Sequence, residues 1–257
     1  MPKKTVKGNF EPSRSAEAQF YRQLKKVAQA SAHIIDQYTD GVVITNERAL
    51  LKALNDYSKA LTPWATRQAA VLLEQVQKSN RRAYQNKSKA IGAALREGVA
   101  TPTVRLAAAA LLEEQVGLIK SIPIEAGQRA QRIAKEAVLS GTRAVPDSDT
   151  IAQLQEEMGM TEEVARNRAM LIARTETARA TAVISQARAM SVGSRQYRWH
   201  NSGDGAVRPS HLRYRGKKLQ GMIFSWDSPP TLDDGMTGHP GEFPNCRCFA
   251  EPVFDVE

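Results

Sequence analysis

Apolar residues recur at helical spacing along most of this chain. From about residue 15 to 192 they return every three or four positions, with polar residues between them. Phe20, Leu24, Val27 and Ala28, then Ile34 and Ile35, mark a first helix that Ser15 is placed to cap. The segment 39–46, TDGVVITN, predicts a turn with a short extended stretch. Leu50, Leu51, Leu54, Tyr57 and Leu61 mark a second helix over 47–61. Pro63 suits the first turn of a third, which runs without a proline towards Glu97. Thr101 and Pro102 predict the next start, Pro123 another, and Gly141 a stop. After a linker at 141–150, helices resume, and Ala165, Ala169, Ala173, Ala178 and Ala182 form a small-residue series that permits close packing.

At Gly193 the pattern changes. Residues 195–257 are rich in Gly, Pro, Asp, Trp, Tyr and His and lose the helical period. Short strands are predicted around 196–200, 217–226 and 246–254. The predicted fold class is therefore mainly α with a small C-terminal α+β module, long helices followed by short strands. The predicted organisation is a flexible basic arm at 1–14, a helical region at 15–144 and a C-terminal domain at 145–257. Within that domain lie helices over 149–192 and a β-rich module over 195–254.

Composition adds a partner class. The chain of 257 residues carries a formal net charge of +9, which favours a polyanion such as nucleic acid. Hydrophobic residues at 42% suffice for a core, and aromatics at 6% make that core largely aliphatic. Two cysteines form no disulfide framework, so reduced thiols are expected. No apolar run reaches the roughly 18 residues of a membrane span, so no membrane partner is expected. The N-terminal stretch lacks the apolar core of a secretory signal.

Three features carry candidate chemistry. Cys246 and Cys248, with His211 and His239, are soft donors of the kind that bind zinc. The same residues also read as alternately buried positions of a closing strand, and the spacing leaves both readings open. The run 195–218 sets Arg195, Arg198, Arg213, Arg215, Lys217 and Lys218 among Tyr197, Trp199 and Tyr214, a pattern suited to phosphates and stacked bases. Arg174 and Glu176 lie on one helix, and Glu176 could join Asp204 and His211 as the raw material of a metal-dependent nuclease or other hydrolase. The chain has no phosphate-cradling Gly loop, nucleophile elbow or HExxH.

These pieces come in a particular order: ARTE at 173–176; Trp199, Asp204, Arg208 and His211; and PNCRC at 244–248 with Asn245 and Arg247. The ordered set resembles the phage Mu F-like family of minor head, or head morphogenesis, proteins of tailed bacteriophages, over roughly residues 145–250. The resemblance implies a non-enzymatic virion protein at the portal vertex, made in the host cytoplasm and acting in procapsid assembly and DNA packaging or ejection. It implies the portal protein, a scaffold or major capsid protein and double-stranded DNA as partners. Many members carry a C-x-x-C pair before an HPNCRC ending, an arrangement that looks like a metal site. Here the positions matching the pair are Arg208 and His211, and the ending reads HPGEFPNCRC.

Overall fold

The structure is a computed structural model, and it describes residues 10–91, 101–141, 148–203 and 205–254. Its helices are α1 (Arg14–Asp36), α2 (Glu47–Ala60), α3 (Thr62–Ile91), α4 (Pro102–Gly141), α5 (Ser148–Gly159) and α6 (Thr161–Ser191). Its strands are β1 (Thr39–Asp40), β2 (Val43–Ile44), β3 (Gln196–His200), β4 (Arg213–Tyr214), β5 (Lys217–Lys218), β6 (Ile223–Ser225) and β7 (Phe249–Val253). Mainly helical, with a small C-terminal sheet region, the fold is of the expected class. Among the described residues no helix is long and apolar enough to cross a membrane.

Local signals account for most helix ends. The Asn46 side chain accepts the Ala49 N–H at 3.0 Å and caps α2. Helix α1 begins at Arg14, and Ser13 supplies the cap by accepting the Ala16 N–H, two residues before the expected Ser15. The larger difference is at Pro123, which lies inside α4 instead of opening a new helix. A proline removes one backbone donor and so ordinarily breaks a helix. Here Ile119 and Ile122 are fully buried, so burial on the preceding turn outweighs the lost bond. The expected extension of α3 towards Glu97, and the centre of the 141–150 linker, lie outside the described residues.

Two compact units divide the chain, and neither is a continuous stretch. The helical unit comprises Gln19–Ala69 and Glu114–Ala173. One core cluster of this unit packs Ile35, Leu50, Leu54, Ala126, Ala130, Ile133, Leu154 and Met158, and Phe20 is a buried ring elsewhere in it. The small hairpin β1–β2 pairs Thr39 with Ile44 and Asp40 with Val43.

The mixed unit comprises Met1–Ala18, Ala70–Glu113 and Arg174–Glu257. Its three-stranded antiparallel sheet has the order β6-β3-β7. Central β3 alternates strictly, so Tyr197 and Trp199 point into the core while Gln196 and Arg198 face outwards. Strand β7 lies at an edge, where Pro252, opposite Tyr197, can be accommodated without breaking a two-sided ladder. The core gathers Phe10, Tyr84, Trp199, Trp226, Phe243, Cys246 and Cys248. Phe10, within the stretch expected to be a flexible arm, is 1% exposed and meets Tyr84 edge-on at 5.2 Å. Residues 1–9 of that arm lie outside the described residues.

Candidate functional site

The loop that closes the mixed unit is pinned to α6. Asn245 sits at φ 59, a left-handed conformation that Asn tolerates better than most residues. Its backbone N–H donates to Thr175 Oγ1 at 2.9 Å, and its side-chain oxygen accepts from Arg174 at 2.7 Å. Arg208 donates to the Pro244 carbonyl at 2.6 Å. Arg247 donates to Glu17 at 2.7 Å, and Arg174 lies 3.6 Å from the same carboxylate. Three separate pieces of sequence, 174–175, 208 and 244–247, thus meet at one loop. Neighbouring Gly241, at φ +96, is needed here: a Cβ would lie 3.1 Å from both the Ala178 and the Cys248 carbonyl oxygens.

Beneath this loop lie the soft donors. A 3-10 turn, Pro209–His211, delivers His211, which is 1% exposed. Its Nδ1 is 3.4 Å from Cys246 Sγ and 3.4 Å from Cys248 Sγ. The backbone N–H of Cys248 donates to Cys246 Sγ at 3.3 Å. The hydrogen bond between the thiols, helped by His211 but opposed by burial, holds the Cys246 thiol below its usual range. That same bond and burial push the Cys248 thiol up. His211 Nε2 is buried and has no hydrogen-bond partner among the described residues, while Nδ1 faces the two sulfurs.

The donor atoms of His211, Cys246 and Cys248 all lie within 4.8 Å of one another. Two thiolate sulfurs and an imidazole nitrogen are a set that fits zinc. They line a cavity of about 100 Å3 together with Arg174, Arg208 and Arg247.

His239, grouped with these donors on sequence grounds, does not join them. Its Nδ1 is 3.0 Å from the Tyr197 hydroxyl, and its ring sits against Trp226. Burial lowers its pKa, so it packs as a neutral core residue. His200 is also engaged elsewhere, between Glu251 at 2.9 Å and Gln220 at 3.0 Å, with its ring stacked on Phe249. Glu176 is 2% exposed on α6 and does not line the cavity that His211 lines. Asp204 lies outside the described residues. Trp199 is buried, edge-on to the His211 ring at 5.8 Å.

The six basic residues singled out in the sequence are all exposed. Arg213, Arg215, Lys217 and Lys218 lie on the β4–β5 hairpin, where Arg213 is paired directly with Lys218. Its turn residues, Arg215 at φ 49 and Gly216 at φ 75, are the left-handed pair of a tight type I′ connection. Arg215 covers the Tyr214 ring at 5.2 Å. Arg195 precedes β3, and Arg198, on it, donates to the Gly221 carbonyl at 3.1 Å. Sequence reasoning missed Glu17, which anchors Arg174 and Arg247, and Glu251, which anchors Lys87 and His200, both from distant segments without any local motif. It also passed over Thr175, although that residue sits inside ARTE.

The model of the family described as Phage Mu protein F like protein matches residues 123–251. The chain belongs to the phage Mu protein F-like family. The match begins inside α4, upstream of residue 145, and it takes in α6, the basic hairpin and the closing NCRC loop. The chain is also 34% identical over 155 residues to an uncharacterized protein of Haemophilus influenzae, covering 60% of this chain and 31% of that protein. It therefore spans about a third of that relative's length. No solved structure matches.

Proposed function

We propose that this chain is a minor capsid, or head morphogenesis, protein of a tailed bacteriophage. It associates with the portal vertex and acts during procapsid assembly and DNA packaging or ejection. The observation that carries this reading is the family match over 123–251, whose ordered motif residues converge on one loop. In this reading the portal and the scaffold or major capsid protein are its protein partners, and its final place is the phage head.

Double-stranded DNA is the third partner. The overall charge of +9 favours it, and so does the hairpin. Like charges directly opposite each other on paired strands destabilise a hairpin, and Arg213 opposite Lys218 is such a pair. A phosphate backbone laid along the hairpin would turn that repulsion into attraction. Binding through phosphates is sequence-independent and weakens steeply with salt.

The test is to isolate procapsids and virions of the phage carrying the gene. The protein should co-purify with the portal in both; its absence from both overturns the reading. For DNA, a mobility shift titrated against salt should show affinity falling steeply, and an Arg213→Ala, Lys217→Ala, Lys218→Ala variant should bind more weakly. Salt-independent binding would contradict the phosphate contacts. Among the described residues Glu176 and His211 are both buried, and Glu176 does not line the cavity that His211 lines, so the hydrolase reading gains no support from them.

A further inference from the structure

We propose that His211, Cys246 and Cys248 hold one zinc ion, with its fourth coordination position left to a small ligand from the arginine-lined cavity. This inference is independent of the role in the phage head. It starts from the distances. A tetrahedral zinc with ordinary Zn–S and Zn–N bonds separates a sulfur from a nitrogen ligand by about 3.6 Å. His211 Nδ1 lies 3.4 Å from both sulfurs. An N–H directs its proton along one line and cannot serve two sulfurs equally well. One nitrogen equidistant from two sulfurs is the arrangement that a shared centre would produce. The Cys248 N–H donating to Cys246 Sγ supplies the outer bond that steadies a metal-bound thiolate.

The fourth position is where this chain is distinctive. Among the described residues no other His, Cys, Asp or Glu joins the cluster. Residue 208 caps the 3-10 turn that delivers His211, and it lines the same cavity. It is an arginine, which cannot be a ligand. The cavity beside the donors is about 100 Å3, and its rim includes exposed Ala206 and Asn245. That is room for about three water molecules. Three guanidinium groups line it; Glu17 pairs with Arg174 and Arg247, while Arg208 is held by a carbonyl. Zinc with two thiolates is close to neutral, and guanidinium groups line the cavity beside it, so water or a small anion suits the fourth position.

The test uses the full chain, purified under reducing conditions and reconstituted with zinc. Elemental analysis should find about one zinc per chain after dialysis, and Cys246→Ser and Cys248→Ser should each lose it. Cobalt substituted for zinc should give the intense visible bands of a tetrahedral thiolate site. Thiocyanate should shift those bands, because it enters the open position. An Arg208→Cys variant should bind metal more tightly against a chelator and lose the thiocyanate response. That variant removes no donor, so it guards against a serine variant that merely fails to fold. Wild-type protein without zinc after reconstitution overturns the site, as does zinc retained by both serine variants. Cobalt bands indifferent to thiocyanate in the wild type overturn the open position.

Discussion

The two units of this protein are stabilised in different ways. In the helical unit the core is mostly aliphatic, with Phe20 as a buried ring, and its ion pairs, such as Arg168–Glu125 and Arg129–Glu157, sit at the surface or half-buried. In the mixed unit the core is crowded with rings, and polar pins tie loops to helices: Arg174 to Asn245, Arg247 to Glu17, His200 to Glu251. A helix satisfies its own backbone, so helices need only a shared apolar stripe. Loops do not, so each turn of the mixed unit needs a named partner. The difference teaches where function concentrates. Groups that pin a loop in this unit, such as Arg174, Asn245 and Arg208, are also those that line the cavity beside the sulfurs.

That contrast can be broken most forcefully at Trp199. It is fully buried, and its ring meets His211, Phe224 and Phe243. Trp199→Ala should cost about 3–5 kcal/mol in denaturant unfolding. It should also loosen the hydrogen-exchange protection of β3 and β7 more than that of α2. Uniform loss across both units would show that they unfold as one.

Gly241→Ala comes next. Strain from a positive φ and backbone crowding should cost about 1–3 kcal/mol, read as a fall in unfolding midpoint. An unchanged midpoint would mean the closing loop moves without penalty.

A smaller and sign-changing effect should appear in the helical unit. A Cβ on Gly127 would come 2.6 Å from Leu54 Cδ1. Gly127→Ala should destabilise the wild type by about 1 kcal/mol through overpacking. In a Leu54→Ala background the same change should stabilise by about 0.5–1 kcal/mol, because only the helix preference of alanine remains. Equal effects in both backgrounds would remove the steric explanation.

The finest test is pH. The hydrogen bond from His200, with Lys87 at 2.5 Å, holds the Glu251 carboxyl down at about 2 against its own burial. A depressed carboxylate contributes stability that is fully present above its unfolded value of about 4.5 and is lost as pH falls towards 2. Glu251→Gln should therefore flatten the acid limb of a melting-temperature profile between those values. A limb as steep as the wild type's would place the acid sensitivity elsewhere.

Much of the helical architecture could be read directly. Periodic Leu and Ile positions mark α1 and α2, Thr161 stands at the start of α6, and the strand expected around 196–200 is β3. Pro123 misled because a residue's effect on a helix depends on what its neighbours bury. Strand 217–226 was read as one element; it is two, β5 and β6, because Gly221 at φ +88 turns the chain between them. At the candidate site, His211, Cys246 and Cys248 could be named from residue type. His239 carried the same signal, yet it packs against Tyr197 and Trp226.

By itself, the sequence determined most of the helices, the place of the short strands, the basic balance and the ordered motifs of the family, because each depends on near neighbours or on composition. Only the tertiary structure decided which histidine faces the cysteines and which carboxylate answers Arg174 and Arg247. His211 lies 35 residues before Cys246, and Glu17 lies 230 residues before Arg247. Over such separations chain connectivity imposes no direction. The side chains meet because the rings of the mixed unit pack in one way and its turns bring them there.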